Sequence, residues 1–135
     1  MTLANGDVLN PLEAYYVQLN AAAIAEIIPL DTPSAPVSKA LVAGWNFVGA
    51  AFLQEEMPAT DALTSAFQVQ TTGVQSVPVV GYTQVVSPDI NMFAWTYVRG
   101  AAAPPNLELG EGYWVSMLNA GQLGGFSSTP LMFPK

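Results

Sequence analysis

The sequence predicts an all-β fold, a β-dominated sandwich or barrel with one short α-helix near residues 61–70. Eleven Gly and eleven Pro are spread along the 135 residues and cut the chain into short segments. Those segments are rich in Val, Ile, Tyr, Phe and Trp, residues that pack well on a pleated surface. Only the stretch around Ala62 repeats its apolar residues at helical spacing. Many short strands with frequent turn signals read as a sandwich or barrel. A chain of this length suits one domain, and 1–135 is read as one.

The elements follow in order. Ala14–Leu19 is aromatic and β-branched and reads as a strand. Ile24–Ile28 is expected to return antiparallel to it, with helical character possible at Ala21–Ala25 because an Ala-rich turn is poor hairpin chemistry. Asp31–Pro36 carries two prolines and is a connector, since Pro donates no ladder hydrogen bond. Trp45–Gly49 follows Gly44 and reads as a strand. Thr60 or Asp61 can cap a helix in which Ala62, Leu63, Ala66 and Phe67 share a face. Pro58 bars an earlier start, and Thr71-Thr72-Gly73 ends it. Val77–Val80 and Thr83–Val86 flank Gly81-Tyr82. Phe93, Trp95 and Tyr97 alternate onto one face of a strand over 93–98. Tyr113–Met117 follows the turn Gly110-Glu111-Gly112, and Gln122–Phe126 is expected to pair back onto it. Pro130–Pro134 is a short apolar tail.

The chain also echoes itself. Glu13-Ala14-Tyr15-Tyr16-Val17 near the start parallels Glu111-Gly112-Tyr113-Trp114-Val115 near the end, and both runs reach Asn-Ala a few residues later. Read as a repeat, 10–28 and 109–126 are two related hairpin units.

Gly44-Trp45-Asn46-Phe47-Val48-Gly49 and the later Gly110-Glu111-Gly112-Tyr113-Trp114-Val115 together resemble a recurrent β-module of secreted and surface-layer-associated proteins of archaea and bacteria. That module opens on a Gly-Trp-Asn strand and closes on a Gly-x-Gly-Tyr-Trp-Val strand. The resemblance covers about Leu41 to Phe126. It implies a structural or adhesive role outside the cell, and it transfers no catalytic or ligand residue. The residues themselves read as fold determinants. Trp45 and Trp114 can each bury about 150–250 Å², and they are expected to be buried together in the core; Tyr113 is grouped with them as a fold determinant. Gly44, Gly110 and Gly112 permit positive φ or close backbone approach. The Asn46 amide can satisfy loop backbone.

Composition narrows the function classes. The net charge is −7, and the only cations are Lys39, Arg99 and Lys135. Nucleic-acid binding needs clustered Lys and Arg, so no nucleic-acid partner is expected, and binding to anionic lipid is not expected for the same reason. No run of ~18 apolar residues is present, so no membrane insertion is expected. Met1–Gly6 lacks the basic and apolar regions of a signal peptide. Only 10% of the residues are charged, against about 25% in an ordinary domain. The surface is therefore built from Ser, Thr, Asn, Gln and Gly, which suits secreted domains, polymerising subunits and domains covered by neighbours.

Chemistry is sparse. With no His and no Cys, the commonest general base, the thiol nucleophile and the best metal ligands are missing. Ser127-Ser128 has no activating base, and Ser38 and Lys39 are strand neighbours that point to opposite faces. Glu55-Glu56 would diverge on a strand. Glu108 and Glu111 with Asn106, or Asp89 with Asn91, offer fewer oxygens than the roughly six a Ca²⁺ site needs, so structural Ca²⁺ is only a minor candidate and no cofactor is expected. No catalytic residue is assigned, and the chain is read as a non-enzyme. Two interaction surfaces remain. The same-face trio Phe93, Trp95 and Tyr97 is a candidate glycan or protein interface if it is not core. The arms Met1–Leu9 and Ser127–Lys135 are poor in charge and can add a strand to a neighbour's sheet edge, where few Lys gatekeepers block pairing. The expected partners are other copies of the chain or neighbouring surface domains, with a glycan as the alternative.

Overall fold

The computed structural model describes residues 6–10, 12–18, 21–22, 37–49, 54–72, 75–88, 94–101 and 103–125. The fold is all-β. Its elements are β1 (Ser38–Leu41), β2 (Gly44–Gly49), β3 (Glu56–Pro58), α1 (Ala59–Ala62), a 3-10 turn (Thr64–Ala66), β4 (Gln68–Thr72), β5 (Gln75–Val80), β6 (Tyr82–Val86), β7 (Thr96–Val98), β8 (Asn106–Glu108), β9 (Gly112–Met117) and β10 (Gly121–Gly124). All pairings are antiparallel. The central sheet has the order β2-β9-β6-β7, and three two-stranded ladders, β1-β10, β3-β8 and β4-β5, surround it.

Period-two alternation builds the central sheet. In β9, Tyr113, Val115 and Met117 are buried, and the residues between them are partly open. Across the ladder they meet Val48, Asn46 and Gly44, and on the other side Val115 meets Val85. Val85 in turn faces Tyr97. This inner face packs with Leu41, Leu63, Leu107 and Leu123 into one hydrophobic cluster. Each such aliphatic side chain contributes about 1.5–3 kcal/mol by leaving water.

β1 and β10 continue the β2–β9 pair around a corner. Leu41 still pairs with Gly121, and Gly44 with Met117, so Val42 and Ala43 lie opposite the three residues 118–120. An unequal count of this kind bends a two-stranded ribbon. Leu118 N–H donates to the Gly81 carbonyl at 2.8 Å and fixes the bend to the start of β6. β10 was expected to pair back onto β9. It cannot, because β9 already has β2 on one edge and β6 on the other.

The helix is shorter than expected and begins earlier. It spans Ala59–Ala62, with Pro58 at its N-terminus and no side-chain cap from Thr60 or Asp61. Ala59 N–H donates to Pro105 O at 2.9 Å instead. Ala62, Leu63 and Ala66 are buried as their spacing implies. Phe67 then turns extended, at φ −133° and ψ 122°, and residues 68–72 form β4. Val69, Thr71 and Thr72 are β-branched and favour the ladder over the helix. In β5, Pro78 pairs with Val69, a place open to proline because a strand in a two-stranded ladder has a free edge.

Two other strands are reduced. In 14–18 no strand forms: the segment meets β2 through one bridge, Glu13 to Val48, and Leu19 lies outside the described residues. The strand expected over 93–98 is Thr96–Val98, with Phe93 outside the described residues. Of the two echoing runs, Gly112–Met117 is a full strand and Ala14–Gln18 is not, while residues 23–28 of the first lie outside the described residues. The expected elements at 24–28, 31–36 and 130–134, and the arms at 1–5 and 126–135, lie outside the described residues.

Candidate functional site

The corner between β1 and β2 is held by one side chain. Asn46 is 9% exposed. Its Oδ1 accepts the Val42 N–H at 2.9 Å, and its Nδ2 donates to Val42 O at 2.8 Å and to Gly44 O at 3.0 Å. The amide thus replaces the ladder partners that the backbone loses at the bend. Gly44 takes φ +89° there, a conformation that L side chains avoid.

Asn46 points inward, so its neighbours Trp45 and Phe47 point out. The register sets Phe47 opposite Trp114 and Trp45 opposite Ser116 on this outer face. The joint burial of Trp45 and Trp114 expected from sequence does not occur. Trp45 is 49% exposed, and Trp114 is half-buried on the same outer face. The core positions of these two strands belong to Val48, Tyr113, Val115 and Met117. Tyr113 is fully buried, and its hydroxyl accepts the Glu108 N–H at 2.6 Å, tying β9 to β8.

The outer face carries a ladder of stacked rings. Tyr16 lies on Phe47 with centroids 4.7 Å apart and planes 7° from parallel. Phe47 lies on Trp114 at 4.9 Å and 28°. The Trp114 indole N–H donates to the Tyr16 hydroxyl at 3.0 Å. Each stacked pair contributes about 0.5–1.5 kcal/mol beyond area burial. The segment bearing Tyr16 reaches this face across a pair of glycines that are ladder partners, Gly49 and Gly112. A Cβ on Gly49 would lie 2.9 Å from the Glu13 carbonyl oxygen, and one on Gly112 would lie 2.7 Å from Ala14 Cβ. The two glycines make the shallow saddle in which residues 12–14 sit.

Glu13 ties that segment down. Its carboxylate accepts from the Tyr15 hydroxyl at 2.7 Å and from Asn10 Nδ2 at 3.2 Å, and it pairs with Lys39 Nζ of β1 at 3.3 Å. These partners, Tyr15 first, hold the Glu13 pKa below its ordinary 4.5, and the Tyr15 phenol is raised because it donates to a carboxylate. Lys39 is therefore engaged with Glu13.

The other candidates are dispersed. Tyr97 is 7% exposed, and Trp95 packs against the core with its ring 5.8 Å from that of Tyr113. Of the trio expected as a glycan or protein interface, these two present no open ring row, and Phe93 lies outside the described residues. Glu56 and Glu108 are direct ladder partners on exposed strand ends. Among the described residues, no group of three or more acidic side chains converges as a metal site, and no helix is long and apolar enough to cross a membrane. Ser127, Ser128, Asp89 and Asn91 lie outside the described residues.

Reading from sequence missed Tyr16, Phe47 and Glu13 as parts of one surface. Parity was the available signal: Trp45, Phe47 and Gly49 share one face of β2, and Gly112, Trp114 and Ser116 share one face of β9. No protein-family model matches the chain, and no curated protein or solved structure is found similar to it.

Proposed function

We propose that this chain is a non-catalytic structural or adhesive module that works outside the cell and docks to copies of itself or to neighbouring surface domains. The observation that carries the reading is the exposed aromatic outer face of the central sheet. There Trp45 stands half open to solvent beside the Tyr16–Phe47–Trp114 stack, and Tyr16 is 66% exposed. Large exposed aromatics grouped on one face mark interaction surfaces more often than scattered ones do. The scarcity of charge and the lack of His and Cys support the non-catalytic part. The resemblance of the Gly-Trp-Asn and Gly-x-Gly-Tyr-Trp-Val strands to the surface module supports the extracellular part.

A concentration series in sedimentation or light scattering tests the reading, with Trp45→Ala as the control. The parent should gain mass with concentration and the variant should remain monomeric. A parent that stays monomeric at high concentration sinks self-docking. A second reading, a carbohydrate-binding module, is favoured by the polar row beside Trp45 on this face, Ser116 opposite it and Gln84 one strand further on. A glycan array decides it: binding by the parent that Trp45→Ala abolishes would replace self-docking with sugar recognition.

A further inference from the structure

At the end of the sheet where β6 begins lies a cleft of about 320 Å³ lined by Phe67, Gly81, Tyr82, Thr83, Val98, Arg99 and Leu118. Its size is at the lower end of the range for small-molecule sites. Arg99, the only arginine of the chain, is laid flat on one wall. Its guanidinium carbon is 3.2 Å from the Phe67 ring centroid and 5.2 Å from that of Tyr82.

Two polar atoms here have no hydrogen-bond partner among the described residues, the Tyr82 hydroxyl and Arg99 Nε, and both are buried. Tyr82 is only 2% exposed. Buried polar groups are nearly always satisfied, and an unsatisfied one costs about 1–3 kcal/mol. A chain with so few cations has placed one beside such a hydroxyl, between apolar walls. Burial raises the Tyr82 pKa, with the neighbouring Arg99 acting in the opposite direction, so the phenol keeps its proton near neutral pH and remains a donor.

We propose that this cleft binds a small organic acid, a carboxylate on a short apolar stem. The carboxylate meets the guanidinium edge first. A small displacement of the Arg99 side chain then lets one oxygen accept from Arg99 and the other from the Tyr82 hydroxyl. The stem lies along Phe67, Val98 and Leu118. A single guanidinium matches the single charge of a carboxylate, and charge-assisted pairs of this kind are short and strong. A dianionic phosphate would remain half compensated in a protein of net charge −7. The inference is independent of the docking role assigned to the outer face.

The lone arginine gives one Nε–Hε cross-peak in an amide-type NMR spectrum, which makes the site directly observable. Hexanoate is the probe, hexan-1-ol the uncharged control, and pH and ionic strength are held fixed. The cross-peak should move saturably with hexanoate and remain still with hexan-1-ol. Broadening of hexanoate's own signals should report weaker binding by about tenfold or more in Arg99→Lys, which keeps the charge but loses the planar fork. Tyr82→Phe removes a hydroxyl that makes no well-formed hydrogen bond among the described residues and that Arg99 supports from nearby, so it should fold normally and also weaken binding. It decides the question if Arg99→Lys proves unstable. A still cross-peak with hexanoate, an equal response to hexan-1-ol, or unchanged affinity in Tyr82→Phe would overturn the proposal. So would a cross-peak that moves with protein concentration but not with hexanoate, which would assign the cleft to an acidic side chain of a second copy.

Discussion

The two faces of the β2-β9-β6-β7 sheet are made by the same strands and obey different rules. On the inner face Val48, Val85, Tyr113, Val115 and Met117 are buried, and Asn46, the polar residue among them, satisfies the backbone of the corner. On the outer face the larger rings, Trp45, Phe47 and Trp114, stand partly in water and are steadied by stacking and by Tyr16. Size and hydrophobicity alone did not decide which side became core. Tyr113 is as buried as its aliphatic neighbours, so the division follows strand parity and what covers each face. The aromatic side kept the pair of glycines and became a seat for another segment.

Four substitutions probe this contrast, in descending order of effect. Met117→Ala, on the inner face, should cost about 3 kcal/mol in denaturant unfolding. A loss below about 1 kcal/mol would mean that the inner face is not the tightly packed one. Asn46→Ala should cost about 2 kcal/mol, because it strands a backbone N–H and two carbonyls at the corner. Asn46→Asp should not restore that loss, since a carboxylate cannot donate to Val42 O and Gly44 O. Trp45→Ala should change stability by no more than about 0.5 kcal/mol despite removing the largest side chain of β2. A cost like that of Met117→Ala would erase the distinction between the faces.

The smallest effect is a pH dependence. The folded pKa of Glu13 is lowered, so its contribution to stability is present above the ordinary 4.5 and fades as pH falls through the folded value. The parent should therefore exceed Glu13→Gln in thermal stability near neutral pH and converge with it in acid. Convergence at neutral pH and divergence in acid would reverse the sign and remove Glu13 as the tie that holds residues 12–16 on the outer face.

The sequence made the fold class and most strands of the second half legible, because turn residues and β-branched runs act locally. Gly44 and Asn46 were legible for the same reason: positive φ and an amide clip concern residues a few positions apart. What stayed hidden was set by partners remote in sequence. Which face of β2 is core depends on what covers it, and alternation alone assigns parity without saying which parity is inside. The pairing of β10 depended on both edges of β9 being taken, which no local pattern encodes. The run 14–19 has strand composition but met only one free backbone edge at Glu13, after which Tyr16 found better contact with a ring than with a ladder. Arg99 gave no local sign either, since its shelf, Phe67, is far away along the chain.

The bent ribbon has a mechanical corollary. Gly125 N–H donates to Val37 O at 2.7 Å and closes its far end, and the four pairs from Ser38–Gly124 to Leu41–Gly121 lie between that bond and the corner that Asn46 clamps. Tension applied between the chain entering β1 and the chain leaving β10 would load those pairs one after another, like a zip, and not all at once in shear. Peeling would also draw Leu41 and Leu123 out of the core, and the clamped corner is where it would stall.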